Sequence, residues 1–174
     1  MVKRLSLLLF IGLVFGQSKM DINNLIDRGG LLYKANDDKP YTGSVINLYD
    51  NGQKKLNGRY RNGLKDGKWT WWNMDGGTDS TGSFRKGLLN GRWEFYHGNG
   101  QLKAMGFYRN GDGTNRDEYD LTAHGRHGKW TFWHENGLQA TEITYKEGER
   151  VGIWISWNEQ GEKVWEGTLE EYNA

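Results

Sequence analysis

The chain has 174 residues, with 26 Gly, 1 Pro and no Cys. The missing Cys excludes a disulfide framework, a thiolate zinc site and a Cys nucleophile; the single Pro excludes collagen; and an aromatic share of 14% excludes the composition of a disordered chain. Abundant Gly beside 9 Trp points to a repetitive β structure in one domain.

Residues 1–16 read MVKRLSLLLFIGLVFG. Lys3 and Arg4 precede an apolar run from Leu5 to Phe15, and Val14 and Gly16 are small enough for a cleavage site. This is the form of a secretory signal, and its run is about half of the roughly 20 residues that span a bilayer. The expectation is cleavage after Gly16 and a bacterial periplasmic or secreted location; a retained anchor is the alternative. No Cys follows, so lipoprotein attachment is excluded. Without Lys3 and Arg4 the 23 basic residues become 21 against 22 acidic, a net of −1. These interspersed charges argue against a nucleic-acid binder and a polybasic membrane patch.

Residues 17–42 form a cap segment. Asp21 to Arg28 is expected to be a short helix, followed by Gly29-Gly30 and a strand near Leu31–Lys34. Terminal repeats need such an atypical closing element.

A 24-residue repeat occupies 43–174. Its units begin at Gly43 (GSVINLYDNG), Gly67 (GKWTWWNMDG), Gly91 (GRWEFYHGNG), Gly128 (GKWTFWHENG) and Gly152 (GIWISWNEQG). The third interval carries a 13-residue insertion, 112–124. An aromatic recurs 17 residues after each start (Tyr60, Phe84, Tyr108, Tyr145), with Leu169 in the last unit. Pairs at i, i+2 such as Trp69 and Trp71, or Trp93 and Phe95, share one strand face. Asn51-Gly52, Asp75-Gly76, Asn99-Gly100, Asn136-Gly137 and Gln160-Gly161 are expected as two-residue type I′ turns.

Such turns set the register. They place Val45 opposite Gly58, Trp69 opposite Gly82, Trp93 opposite Gly106 and Trp154 opposite Gly167, while Trp130 faces Ile143. A large indole lying across a bare Cα compensates for glycine in a strand, and the paired Trp is expected to supply it. The expectation is an all-β, elongated, single-layer antiparallel meander of five hairpins with a short helix/strand cap. One face is an apolar ladder; the other is polar with one aromatic row: Trp72, Tyr96, Trp133 and Trp157.

These residues resemble MORN repeats, in the bacterial variant form. The pattern G-x-W-x-x-[WYF]…N-G…G-x-[YF]-x-x-G is met by Gly67, Trp69, Trp72, Gly76, Gly82, Phe84 and Gly87. The stretch LLYKANDDKPYTGSVINLYDNGQKKLNG resembles the opening of YwqK-family antitoxin proteins. The resemblance covers about residues 31–172 and implies a hairpin array acting as an interaction scaffold rather than an enzyme.

Chemical motifs are sparse. His97 and His134 share one repeat position, two strand spacings or roughly 10 Å apart, too far to chelate one ion directly. His124-x-x-His127 lies in a Gly-rich loop and reads as a solvated surface. The acidic start of the insertion lacks the Gly and Glu spacing of a calcium loop. No nucleophile elbow or phosphate loop appears, and no metal or cofactor is expected. The leading expectation is a non-catalytic scaffold binding a protein or another copy of itself through the Trp72 row, although that row also has a purely structural reading. A cell-surface carbohydrate module using the same aromatic row is the alternative. An antitoxin-like or lipid-contacting role, implied by resemblance, is the third.

Overall fold

The computed structural model describes residues 19–172 and 174; the expected signal segment lies outside them. The chain enters as β1 (Met20–Asp21), a 3-10 turn (Ile22–Asn24), β2 (Leu25–Arg28) and β3 (Leu31–Lys34). The expected helix over Asp21 to Arg28 is thus reduced to one 3-10 turn, with Asp21 accepting from the Asn23 N–H. Asn23 and Asn24 are poor helix formers. Gly29-Gly30, both at positive φ, instead close β2 onto β3 as a hairpin.

The remaining strands form one meander: β4 (Gly43–Leu48), β5 (Lys54–Arg61), β6 (Leu64–Lys65), β7 (Gly67–Trp72), β8 (Thr78–Arg85), β9 (Leu88–Tyr96), β10 (Leu102–Gly111), β11 (Arg126–Trp133), β12 (Gln139–Lys146), β13 (Glu149–Trp157) and β14 (Lys163–Gly167). Sheet order follows chain order, with β1 added in parallel to β4 and β6 pairing β5. A helix α1 (Leu169–Tyr172) ends the array. Thr168 and Glu171 bond each other's backbone N–H, the reciprocal cap of a helix start.

The expected register holds. Val45 pairs Gly58, Trp69 pairs Gly82, Trp93 pairs Gly106, Trp130 pairs Ile143 and Trp154 pairs Gly167. The turns differ from expectation. In the third hairpin the His97 N–H donates to Gln101 and the Gly100 N–H to His97, enclosing the loop Gly98-Asn99-Gly100. All five hairpins share this pattern. It is the three-residue loop of a type I turn followed by a left-handed glycine, with Gly100 at φ 84. Asn99 Oδ1 accepts the Gln101 N–H at 3.0 Å; Asn51, Asp75 and Asn136 do the same. Each longer loop is offset by a bulge on the second strand, such as that between Leu102 and Ala104. The extra residue restores the register that a two-residue turn would set. Type I′ turns stand at the other end of the strands, at Asn62-Gly63, Lys86-Gly87 and Glu147-Gly148, where both residues have positive φ.

The indole that covers Gly58, Gly82 and Gly106 comes from the following hairpin, not from the paired strand, whereas Gly167 of the last unit meets Trp165 of its own strand and Glu171. A Cβ on Gly58 would overlap the Trp69 ring, on Gly82 the Trp93 ring, and on Gly106 the Trp130 ring. Each indole Nε1 then donates to the carbonyl just beyond that glycine: Trp69 to Arg59, Trp93 to Ser83 and Trp130 to Phe107. A bulge explains the reach. Between the pairs Thr81–Glu94 and Ser83–Asn90, Gly82 faces three residues, Gly91, Arg92 and Trp93. Gly91 sits at φ 78 there, and the kinked strand throws Trp93 across onto Gly82. Ile143 breaks the series. Trp154 occupies the equivalent place beside Ile143, and its buried Nε1 has no partner.

Candidate functional site

The apolar face carries a continuous aromatic ladder. Trp69, Trp71, Trp93, Phe95, Trp130 and Phe132 follow one another near-parallel, with centroids 5.6–6.3 Å apart. Tyr60, Phe84, Tyr108 and Tyr145, the aromatics of the repeat's second half, meet these rings edge-on. Such contacts add to the area that the rings bury.

Both ends of this face are covered. Met20, Ile22, Leu25 and Leu32 of the cap pack against Tyr41, Val45, Tyr60 and Trp69. At the other end the insertion folds back over the fourth unit. Within it one isolated bridge joins Arg116 and Thr122. Tyr119 stacks on Phe132 at 4.1 Å and 21°, and Leu121 is buried beside it. Asp117 Oδ1 accepts the Tyr119 and Leu121 N–H groups, and its Oδ2 lies 2.6 Å from Arg126 Nη1.

Arg126 is fully buried. Its guanidinium lies over Trp130, Phe132 and Tyr145 and donates to Tyr145 Oη and the Thr122 and Leu121 carbonyls. Burial opposes its charge, yet the Tyr145 and Asp117 contacts leave its pKa raised. A buried charge is tolerated only when paired and hydrogen-bonded in this way.

Arg126 occupies a repeat position: two residues before the starting glycine stand Lys65, Leu89, Arg126 and Arg150. Arg150 lies over Trp154 and pairs with Glu118 of the insertion. Lys65 Nζ lies 5.1 Å from Trp69, 5.6 Å from Trp71 and 4.9 Å from Phe84, rings equivalent to those under Arg126. Burial lowers its pKa. Among the described residues no carboxylate lies within salt-bridge distance of it. The sequence reading missed this position, although its spacing from each glycine was there to be counted.

Lys65 stands in a cleft of about 600 Å³ between the two covers. Trp71, Phe84, Leu89 and Trp93 line its apolar part. Leu32 and Asp27 belong to one wall, Asp112 and Arg116 to the other.

The Trp72 row is placed elsewhere. Trp72, Tyr96, Trp133 and Trp157 are each half-buried, one per hairpin, and no ring pair joins them among the described residues. The carbonyls of three of them serve rungs between hairpins: Tyr49 Oη donates to Trp72, while ring nitrogens of His97 and His134 bond the carbonyls of Trp133 and Trp157. Asn51, Asn99 and Asn136 add a second rung two residues further along, to the carbonyls of Met74, Glu135 and Glu159. His97 and His134 therefore tie neighbouring turns together. His124 pairs with Asp112 at 2.9 Å. Among the described residues no group of three potential His or carboxylate ligands converges, and no helix is long and apolar enough to cross a membrane.

Comparison with known proteins adds little. No family model matches, and no curated protein matches. Among solved structures, a GtfA/B complex bound to UDP and GlcNAc shares 14% identity over 80% of this chain and 27% of its own, with a TM-score of 0.23. The chain spans about a quarter of that structure's length.

Proposed function

We propose that the chain is an exported, non-catalytic repeat scaffold of the MORN-variant type that holds a protein partner in the cleft over Trp71. One observation carries this reading: aromatic surface left between two built walls, with a cation that lacks its carboxylate. Interface cores favour buried aromatic anchors in pockets. The Trp72 row is half-buried and the carbonyls of Trp72, Trp133 and Trp157 are used by the rungs, so the proposed contact surface moves from that row to the cleft. Chemical crosslinking followed by purification from the cell envelope tests this. Partner recovery should fall with Trp71→Ala and persist with Trp72→Ala. Equal recovery from wild type and Trp71→Ala would refute the cleft as the contact surface.

A second reading has its own support. Asp27 and Asp79 line the cleft beside its aromatic residues, a combination that suits sugar hydroxyls and a sugar ring. Retention on immobilised cell-wall polysaccharide, lost with Trp71→Ala, would favour the carbohydrate module instead.

A further inference from the structure

The molecule contains its own example of what an aromatic unit with a cation can hold. In the fourth unit, a segment reading Asp117-Glu118-Tyr119-Asp120-Leu121 supplies a carboxylate to Arg126, a ring to Phe132 and an apolar side chain to the floor. In the second unit, Lys65 and Trp71 occupy the repeat positions of Arg126 and Phe132, over equivalent rings. No segment of the described chain supplies a carboxylate to Lys65, and Trp71 faces the cleft.

We propose that the cleft takes an acidic-aromatic peptide segment of a partner protein, its carboxylate on Lys65 Nζ and a ring two residues later on Trp71. This rests on the scaffold reading and names the chemistry of its partner. A half-buried ammonium that has lost part of its hydration gains most from a charge-assisted hydrogen bond. The ring beneath it already favours the cation but supplies no acceptor. The aspartates of the walls do not cancel this preference. Asp27, Asp79 and Asp112 are exposed at the rim, where water and salt screen them. Asp27 also accepts the Gly30 N–H, and Asp112 is paired with His124. They select against a uniformly acidic chain and leave room for one carboxylate beside an aromatic residue.

The test uses a synthetic peptide with the sequence of residues 114–123, TNRDEYDLTA, titrated against the purified protein while indole fluorescence is followed. The expected result is saturable binding that weakens with added salt. Lys65→Gln should weaken it at least about tenfold, the usual scale for losing a charge-assisted bond, and Lys65→Arg should retain it. Peptides with alanine for the first aspartate or for the tyrosine should each bind more weakly. Binding that survives Lys65→Gln would mean that the peptide displaces the insertion from the intact Arg126 site, and would overturn the proposal. Absence of saturation at millimolar peptide, with the fold shown intact by near-ultraviolet circular dichroism, would overturn it too. Lys65→Gln carried through the crosslinking experiment separates the two readings. Partner capture that needs Trp71 but not Lys65 would leave the scaffold standing and remove the acidic segment.

Discussion

Gly106 shows how a single atom decides packing between hairpins. The sequence reading gave its indole to Trp93, the residue paired with it across the hairpin. The bulge at Gly91 and its equivalents reassigns the cover to the next unit, so Trp130 lies over Gly106. β-Propensity alone favours Val at a strand position. Overpacking of a closed contact costs roughly 1–3 kcal/mol, and we expect Gly106→Val to lose stability by that amount in a denaturant melt. A double-mutant cycle identifies the ring: Gly106→Val should couple with Trp130→Leu and act additively with Trp93→Leu, since contacting pairs show interaction energies of about 0.5–3 kcal/mol. Ile143 supplies the converse. Truncating a buried Ile to Ala costs roughly 2–5 kcal/mol, and Gly in a strand is ordinarily worse than Ala by about 0.5–1 kcal/mol. Here the order should invert. Ile143→Gly lets the Trp154 indole settle on the bare Cα, where its orphaned Nε1 reaches the Thr144 carbonyl as Trp130 reaches Phe107. That bond is worth about 0.5–1.5 kcal/mol. Thermal melts ranking Ile143→Gly below Ile143→Ala would contradict the repeat equivalence of Trp154.

At the scale of elements, the repeat period, the strands and the register were legible, because period-2 alternation and the Asn-Gly pairs are local signals. The turn type was not. Asn-Gly serves a two-residue type I′ loop and equally a type I turn closed by a left-handed glycine; what separates them is whether Asn itself takes positive φ. Asn99 does not, whereas Asn62, Lys86 and Glu147 do. The register survived this error because each loop is followed by a compensating bulge. Two of the genuine type I′ turns carry residues poorly suited to them. Left-handed backbone costs an ordinary L-residue roughly 1–2 kcal/mol, and Asn tolerates it best after Gly. Glu147 stands at φ 54 with its side chain exposed. Glu147→Asn should therefore raise stability by about 0.5–1 kcal/mol, read as a higher denaturant midpoint with unchanged slope. No gain would mean that strand pairing, not backbone preference, limits that hairpin.

Across the whole molecule, the least legible feature was the way the cap and insertion divide the aromatic face. The docking of the insertion depends on Arg126 and Asp117, residues whose burial no local pattern announces. Its contact with the sheet makes stability sensitive to alkali. Tyr108 is buried and donates to the Thr122 carbonyl of the insertion. Burial first, then Asp117 and Tyr145, push its pKa up against the opposing pull of Arg126, from 10.0 to about 12. Between those values the unfolded chain releases a proton that the folded chain keeps, so stability falls as pH rises. The contribution is whole below pH 10 and gone above about 12. Two units correspond to roughly 2–3 kcal/mol. Tyr41, Tyr60, Tyr96 and Tyr119 are shifted in the same direction, each chiefly by burial. Lys65 acts oppositely. Its lowered pKa means that the folded chain gives up a proton first, so stability rises with pH until the unfolded lysine titrates at 10.5. The two effects set a crest near pH 10 followed by a steep decline. Chemical denaturation from pH 8 to 12 should trace that curve. Tyr108→Phe should start lower by about 1 kcal/mol for the lost hydrogen bond and flatten the decline above pH 10. A decline equally steep in the variant would place the alkaline sensitivity in the other tyrosines and detach it from the docking of the insertion.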